Sequence, residues 1–331
     1  MDKRVILAVA GSGKTTYIVD SLSTEKRSLI ITYTHANYEN LSRKIANKFN
    51  GTWPSNVVLM SYFSFLYRFC YKPFLSDQVR ARGVVFDQKP NRYAKNHDFY
   101  FYGNRFYSNR LALYLERVIG EIQDRIKDYF DEFIIDEIQD IAGRDFSFLE
   151  KLMMTDVNML FVGDFFQHTF DTSRDGNVNC NLFDDCSAYE HRFTSKNFAV
   201  DSDTLKNSWR CSKSVCEFVS NNLGITISSN RDSDDDTSIL LVTEQAEKAK
   251  ILDNPNIVKL HYRESNKYGF SHRNWGDTKG EDCHEDVCVM LNKTSAKMYT
   301  QGKLHDLTPS TRNKLYVAIT RAHGNVYLIY E

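Results

Sequence analysis

The chain is 331 residues long, 42% hydrophobic and 26% charged, with a formal net charge of -1. That length suits two ordinary domains, and that balance a soluble globular chain. No apolar run reaches the roughly 18 residues a membrane-spanning helix needs. Near-zero charge excludes a chain-wide basic field, so any nucleic-acid contact has to come from a local basic groove.

The N-terminal stretch MDKRVILAVAGSGK carries an apolar run too short for a signal peptide, and it leads into a glycine loop, not a cleavage site. In chain order, residues 4–9 (RVILAV) read as a short buried strand. Ala10-Gly11-Ser12-Gly13-Lys14-Thr15-Thr16 follows, then a helical stretch over 17–22. Strand, glycine loop and helix form the context of a phosphate-binding loop. Gly11 and Gly13 let backbone N–H groups turn inward around phosphate oxygens, and the helix start adds its positive dipole end. Lys14 is expected at the β- and γ-phosphates, and the Thr15 hydroxyl on Mg²⁺. A strict loop of this kind has glycine where Ala8 stands.

Residues 71–112 are locally basic. Lys72, Arg80, Arg82, Lys89, Arg92, Lys95, Arg105 and Arg110 stand against Asp77, Asp87 and Asp98, interleaved with Tyr93, Phe99, Tyr100, Phe101, Tyr102, Phe106 and Tyr107. Cations for phosphates and flat rings for bases are what a single-strand platform uses. The same rings equally suit the packed core of a small subdomain with its charges facing solvent.

Residues 133–135 (FII) form a second apolar strand that ends in Asp136-Glu137-Ile138-Gln139-Asp140. A hydrophobic strand that delivers adjacent carboxylates at its carboxyl end obeys the rule for ligand sites in open α/β sheets. Asp136 is expected to bind Mg²⁺ through water, and Glu137 to accept the proton of an attacking water. Residues 159–162 (MLFV) form a third strand, leading to Gln167, which at a strand tip can hydrogen-bond a γ-phosphate or the attacking water. Beyond it, helices are expected near 205–223 and 309–321, and strands near 239–242, 257–260, 287–291 and 326–330. The polar, acidic stretch 228–238 reads as an exposed loop.

Seven cysteines are present, and the pairs Cys180/Cys186, Cys211/Cys216 and Cys283/Cys288 are spaced more widely than the C-x-x-C of zinc sites. Reduced thiols in a cytoplasmic protein are the reading they favour.

Together the motifs resemble the UvrD/Rep group of superfamily 1 helicases, in order along residues 5–322. AGSGKTT resembles motif I, ITYTHANYENL (31–41) the DNA-contacting motif Ia, and MSYFSFLYR (60–68) the segment that follows it. IIDEIQD resembles motif II and FVGDFFQ motif III. LKNSWRCS (205–212) resembles motif IV, DTKGED (277–282) motif V, and KLYVAITRA (314–322) motif VI. The resemblance implies an α/β fold of two RecA-like P-loop NTPase lobes with parallel sheets, residues 1–200 and 201–331, and an ATP site in the cleft between them. It implies ATP and Mg²⁺ as cofactors. It makes Arg210 and Arg321 arginine fingers for the γ-phosphate, stacks Trp209 on adenine where the family usually has tyrosine, and sets Glu281 on the ribose. It places Tyr33, Thr34, His35, Ser61 and Phe63 on single-stranded nucleic acid. From the 71–112 insertion, Arg92, Lys95, Tyr100 and Tyr102 are the candidates to join them.

Three departures stand out. The three residues before the first strand hold no counterpart of the family's adenine-reading glutamine segment, which leaves selectivity for ATP over other nucleoside triphosphates open. The base-stacking aromatic that usually follows motif III aligns near Thr172, with Phe170 close by but not equivalent. The stretch 211–276 is too short for the family's large second-lobe accessory domain. Three functions fit: a single-stranded DNA translocase or helicase moving 3′ to 5′; a nucleic-acid-stimulated ATPase serving a partner such as a nuclease, as in bacterial or phage defence; and a P-loop module without nucleic acid, such as a kinase. The set Gln167, Arg210 and Arg321 argues against the last. RNA remains open as the strand.

Overall fold

The structure, a computed structural model, describes residues 1–91, 93–169, 173–231, 237–269, 271–281 and 283–331. Its contacts divide the chain into two units that do not follow chain order. The first holds Met1–Ile6, Thr15–Gly163 and residues 173–201; the second holds Leu7–Lys14, residues 164–169 and Ser202–Glu331. Among the described residues, no helix is long and apolar enough to cross a membrane.

The first unit is built on β1 (Lys3–Leu7), β2 (Ser28–Thr32), β3 (Val57–Ser61), β4 (Val84–Val85), β5 (Phe101–Tyr102), β6 (Arg105–Tyr107), β7 (Glu132–Asp136), β8 (Asn158–Gly163) and β9 (Ala199–Asp201). Six of these make one sheet in the order β3-β2-β7-β8-β1-β9. The pairs β2–β3, β2–β7, β7–β8 and β1–β9 are parallel. The backbone N–H of Met159 donates to the carbonyl of Asp2 at 2.8 Å, so β8 and β1 start at the same end of the sheet. Strands such as β2 (SLIIT), buried at every position, read as continuous apolar runs because helices cover both faces of a parallel sheet. The carboxyl ends of β1, β7 and β8 therefore share one edge, where α/β sheets place their ligands.

Within 71–112, part of the first unit, β4, β6 and β5 form a three-stranded sheet in the order β4-β6-β5, among the short helices Lys72–Leu75 and His97–Tyr100 and the start of Ser108–Leu115. Its rings divide. Phe101, Phe106 and Tyr107 are buried, and Phe101 lies 4.3 Å from Phe106. Tyr93 and Tyr102 are exposed. Arg110, counted among the basic residues of this stretch, is buried: it faces Asp175 at 2.6 Å, with Arg144 sharing the same carboxylate at 2.5 Å. A buried guanidinium is stable only when paired in this way, so Arg110 fixes structure and adds no charge to the surface.

The second unit adds β10 (Asn207–Ser208), β11 (Ser228–Ser229), β12 (Ile239–Leu241), β13 (Val258–His261), β14 (His272–Asn274), β15 (Val287–Leu291) and β16 (Val326–Tyr330). Its main sheet runs β12-β16-β15-β13-β14, parallel throughout. Its core packs Leu260, Trp275, Val289 and Leu328 with Val9 and Ala10 of the glycine loop. The helix expected over 205–223 is corrected to Lys213–Phe218, followed by a wider π-type turn over Val219–Leu223. The physical reason is local. The Ser208 hydroxyl accepts the backbone N–H groups of Arg210 at 3.2 Å and Cys211 at 2.9 Å, so the chain turns there, and Ser212 caps the helix. Within 228–238, Ser228–Ser229 pairs with Asn207–Ser208 as β11, and residues 232–236 lie outside the described residues.

Candidate functional site

The glycine loop follows β1. Gly11 (φ +69°) and Gly13 (φ +88°) both adopt left-handed backbone, which side chains at those positions would strain. The helix Lys14–Ser21 starts directly after them. Its first turn leaves backbone N–H groups that the helix itself cannot satisfy. Lys14 is buried at this helix start. Ser12 donates its hydroxyl to the Val9 carbonyl at 2.9 Å. Thr16 is exposed, and its hydroxyl accepts from Lys44 Nζ at 2.9 Å. Left-handed glycines, a helix start and a lysine there are a donor set that fits a triphosphate.

Within the second unit, three other segments hold this loop. Trp209 donates its backbone N–H to the Gly11 carbonyl at 2.9 Å, and Val9 donates to Leu205 at 3.0 Å. Ala10 donates its N–H to the Tyr316 hydroxyl at 2.8 Å, and that hydroxyl donates to Asp164 Oδ2 at 3.0 Å. Burial, with Asp164 beside it, holds the Tyr316 phenol well above its usual pKa, so it keeps its proton. Gln167 is buried at the end of the single turn Phe165–Gln167, its N–H donating to the Asp164 carbonyl at 2.9 Å. The glycine loop, the turn after β8, the 205–209 segment and Tyr316 thus meet through main-chain and hydroxyl bonds.

Arg210 lies against the loop: a Cβ added at Gly11 would stand 2.6 Å from the Arg210 Cβ. Its Nη1 donates to the Thr320 carbonyl at 3.1 Å. Arg321 is buried, donating from Nε to Val317 at 3.1 Å and from Nη1 to the carbonyls of Thr278 and Glu281, each at 3.3 Å. Much of its guanidinium therefore ties the Pro309–Ile319 helix to the 278–281 segment. The Cys216 thiol, ahead of the neighbouring guanidiniums, holds the Cys211 thiol below its usual range against the effect of burial. The Trp209 indole is 67% exposed, near Gly13. The Glu281 carboxylate pairs with His284 Nε2 at 2.7 Å, which turns it to a protein partner where the resemblance implies a ribose.

In the first unit, Asp136 is the buried last residue of β7. Glu137 follows in left-handed backbone (φ +56°), and Gln139 Nε2 donates to Glu137 Oε2. A non-glycine residue held at positive φ is strained, and such strain collects at functional positions. Thr15, second in the helix after the loop, is half-buried.

The residues expected on nucleic acid spread over the first unit. Thr34 caps the helix His35–Lys48, its hydroxyl accepting from Asn37 N at 3.2 Å, and His35 is exposed with Nδ1 3.3 Å from Glu39. Ser61 donates to Ser64 at 2.9 Å. Tyr33 stacks on Tyr62 at 5.4 Å, and Phe63 meets Tyr33 edge-on at 5.8 Å. Lys95 is exposed. Tyr100 is half-buried and packs against Tyr114 at 5.0 Å with Arg117 over its ring, whereas Tyr102 is open to solvent. Arg92, Phe170 and Thr172 lie outside the described residues. Sequence reasoning passed over Phe86, 63% exposed, which meets Phe63 at 4.7 Å.

No protein-family model matches the chain. No curated protein matches it either. Among solved structures, it is similar to the PRRSV helicase, with a TM-score of 0.51 and 14% identity over 98% of this chain and 52% of that one. It is also similar to the arterivirus nonstructural protein 10 helicase, solved in complex with DNA, with a TM-score of 0.51 and 15% identity over 98% of this chain and 60% of that one. The chain thus spans about half to three fifths of the length of these helicases, and at such identities the likeness is one of fold. The α/β architecture of parallel sheets described above is one that this chain shares with viral helicases.

Proposed function

We propose that the chain is an ATP-hydrolysing translocase or helicase on single-stranded nucleic acid, a compact member of the UvrD/Rep branch, acting on DNA in the cytoplasm and moving 3′ to 5′. One observation carries this reading: the glycine loop is bonded directly by Trp209 and Tyr316, from the two segments that also bear Arg210 and Arg321. A phosphate loop serving a simple kinase has no need of either segment, whereas a motor must make distant segments answer to the state of the nucleotide.

Under this reading, Mg²⁺-ATP supplies the phosphoanhydride bond whose hydrolysis drives the cycle. Gly11, Ser12, Gly13 and Lys14 hold the phosphates, and Thr15 and Asp136 hold the metal. Glu137 takes the proton from the attacking water, aligned by Gln167. Arg210 and Arg321 offset the charge that spreads over the γ-phosphoryl group. The Trp209 indole covers the adenine, and Glu281 reaches the ribose once it leaves His284.

Streptavidin displacement from end-labelled oligodeoxynucleotides tests this. Displacement from the 5′ end, dependent on ATP and lost in Lys14→Ala, is the expected outcome. Displacement from neither end by the wild-type chain under hydrolysing conditions would remove translocation from the account.

A further inference from the structure

We propose that Phe86 is a base-stacking site, whose exposed ring, backed by Phe63 and Tyr33, takes an unstacked base of single-stranded nucleic acid. The proposal rests on the single-strand reading above and adds a residue that neither motif nor spacing singles out.

Four rings step from core to solvent. Tyr62 is buried at 3% exposure and stacks with Tyr33, 5.4 Å apart at 20°. Phe63 meets Tyr62 at 5.4 Å and Tyr33 at 5.8 Å, edge-on to both. Phe86 meets Phe63 at 4.7 Å and 89°, yet remains 63% exposed. A phenyl ring held rigid on one side and open to water on the other offers a preformed face, so a base can stack with little further loss of freedom.

The surroundings suit a polyanion. Phe86 directly follows β4, which pairs with β6. Arg82 donates its N–H to the Asn104 carbonyl at 2.6 Å, which brings Arg82 near the exposed Arg105. Over residues 80–91, Arg80, Arg82 and Lys89 stand against Asp87 alone. Among the described residues, Arg82, Lys89 and Arg105 make no ion pair, so their charge is available to phosphates. A protein partner would call for a wider apolar patch poor in charge. One ring set among unpaired cations is instead the arrangement that grips single strands, with stacking and phosphate contact as separate contributions.

That separation gives the test. Binding of the full chain to labelled oligo-dT, and to an abasic strand of equal length, is measured by fluorescence anisotropy at fixed salt. Phe86→Ala should weaken oligo-dT binding by roughly 5- to 150-fold, the range of a base–aromatic stack. Its affinity for the abasic strand should stay at the wild-type value, and its melting temperature should fall by no more than a few degrees, the cost of one edge-on contact with Phe63. Phe86→Tyr, which keeps the ring, should bind both strands as wild type does. Equal losses on both strands, or no loss on oligo-dT, overturn the proposal; the latter assigns the ring to protein contact or to nothing. If the wild-type chain binds neither strand, the single-strand reading itself fails, and that outcome is distinct from a failure at Phe86.

Discussion

Trp209 donates its backbone N–H to the carbonyl of Gly11 at 2.9 Å, so the 205–212 segment is bonded to the glycine loop through main chain. A side chain at Gly11 would break this approach: its Cβ would stand 2.6 Å from the Arg210 Cβ and 2.7 Å from the Ser208 hydroxyl, in left-handed backbone. Gly11→Ala should therefore cost at least about 1–3 kcal/mol in stability from the backbone strain alone. It should also abolish nucleotide binding at concentrations that saturate the wild type. Thermal melts with and without ATP measure both effects.

Glu137→Gln should keep ATP binding while turnover falls by roughly 10²–10⁴-fold, the contribution of a general base. The Gln139 amide that now donates to Glu137 finds an acceptor oxygen in glutamine too, so the fold should be undisturbed. Wild-type turnover in this variant removes Glu137 from the mechanism.

Arg321→Ala should do two things. It should lower kcat by roughly 10³-fold if the guanidinium serves the phosphoryl group. It should also destabilise the second unit by about 1–3 kcal/mol, since the carbonyls of Val317, Thr278 and Glu281 each lose a donor. A loss of stability with unchanged kcat marks Arg321 as structural only.

Tyr316→Phe removes the hydroxyl that joins the Ala10 N–H to Asp164, both buried. Leaving these groups without that partner should cost about 1–3 kcal/mol, measured by urea denaturation. A midpoint equal to the wild type would show that the bridge does not hold the loop.

Asp145 carries a pH signature. Burial raises its carboxyl from 3.8 to about 7, opposed by the Ser173 hydroxyl that donates to it. The folded state thus binds a proton that the unfolded state releases near 3.8, so this contribution to stability is complete below that pH and is lost as pH rises through about 7. Asp145→Asn should flatten that part of the stability–pH curve between about 4 and 7. A slope unchanged in the variant would assign it to other groups.

How far the sequence could be read depended on whether the controlling forces were local. Strands such as Val287–Leu291 were legible because burial on both faces demands an unbroken apolar run. The loop at Gly11 and Gly13 was legible because glycine adopts left-handed backbone without the strain other residues incur there. Arg110 was misread as a surface cation because its partner, Asp175, is remote in sequence. The start of the 205–223 helix was misplaced because Ser208 and Ser212 bond their own backbone and redirect the chain. Phe86 carries no signal of its own beside Asp87; only its packing on Phe63, in a different segment, makes it notable.

The rate of ATP hydrolysis by the intact chain, measured with and without single-stranded DNA and RNA, is the most direct test of a nucleic-acid motor. Mg²⁺-dependent hydrolysis that single-stranded DNA stimulates more than RNA does, with both basal and stimulated rates lost in Lys14→Ala, is the expected result. Hydrolysis indifferent to either strand, or none at all in the wild-type chain, would contradict it.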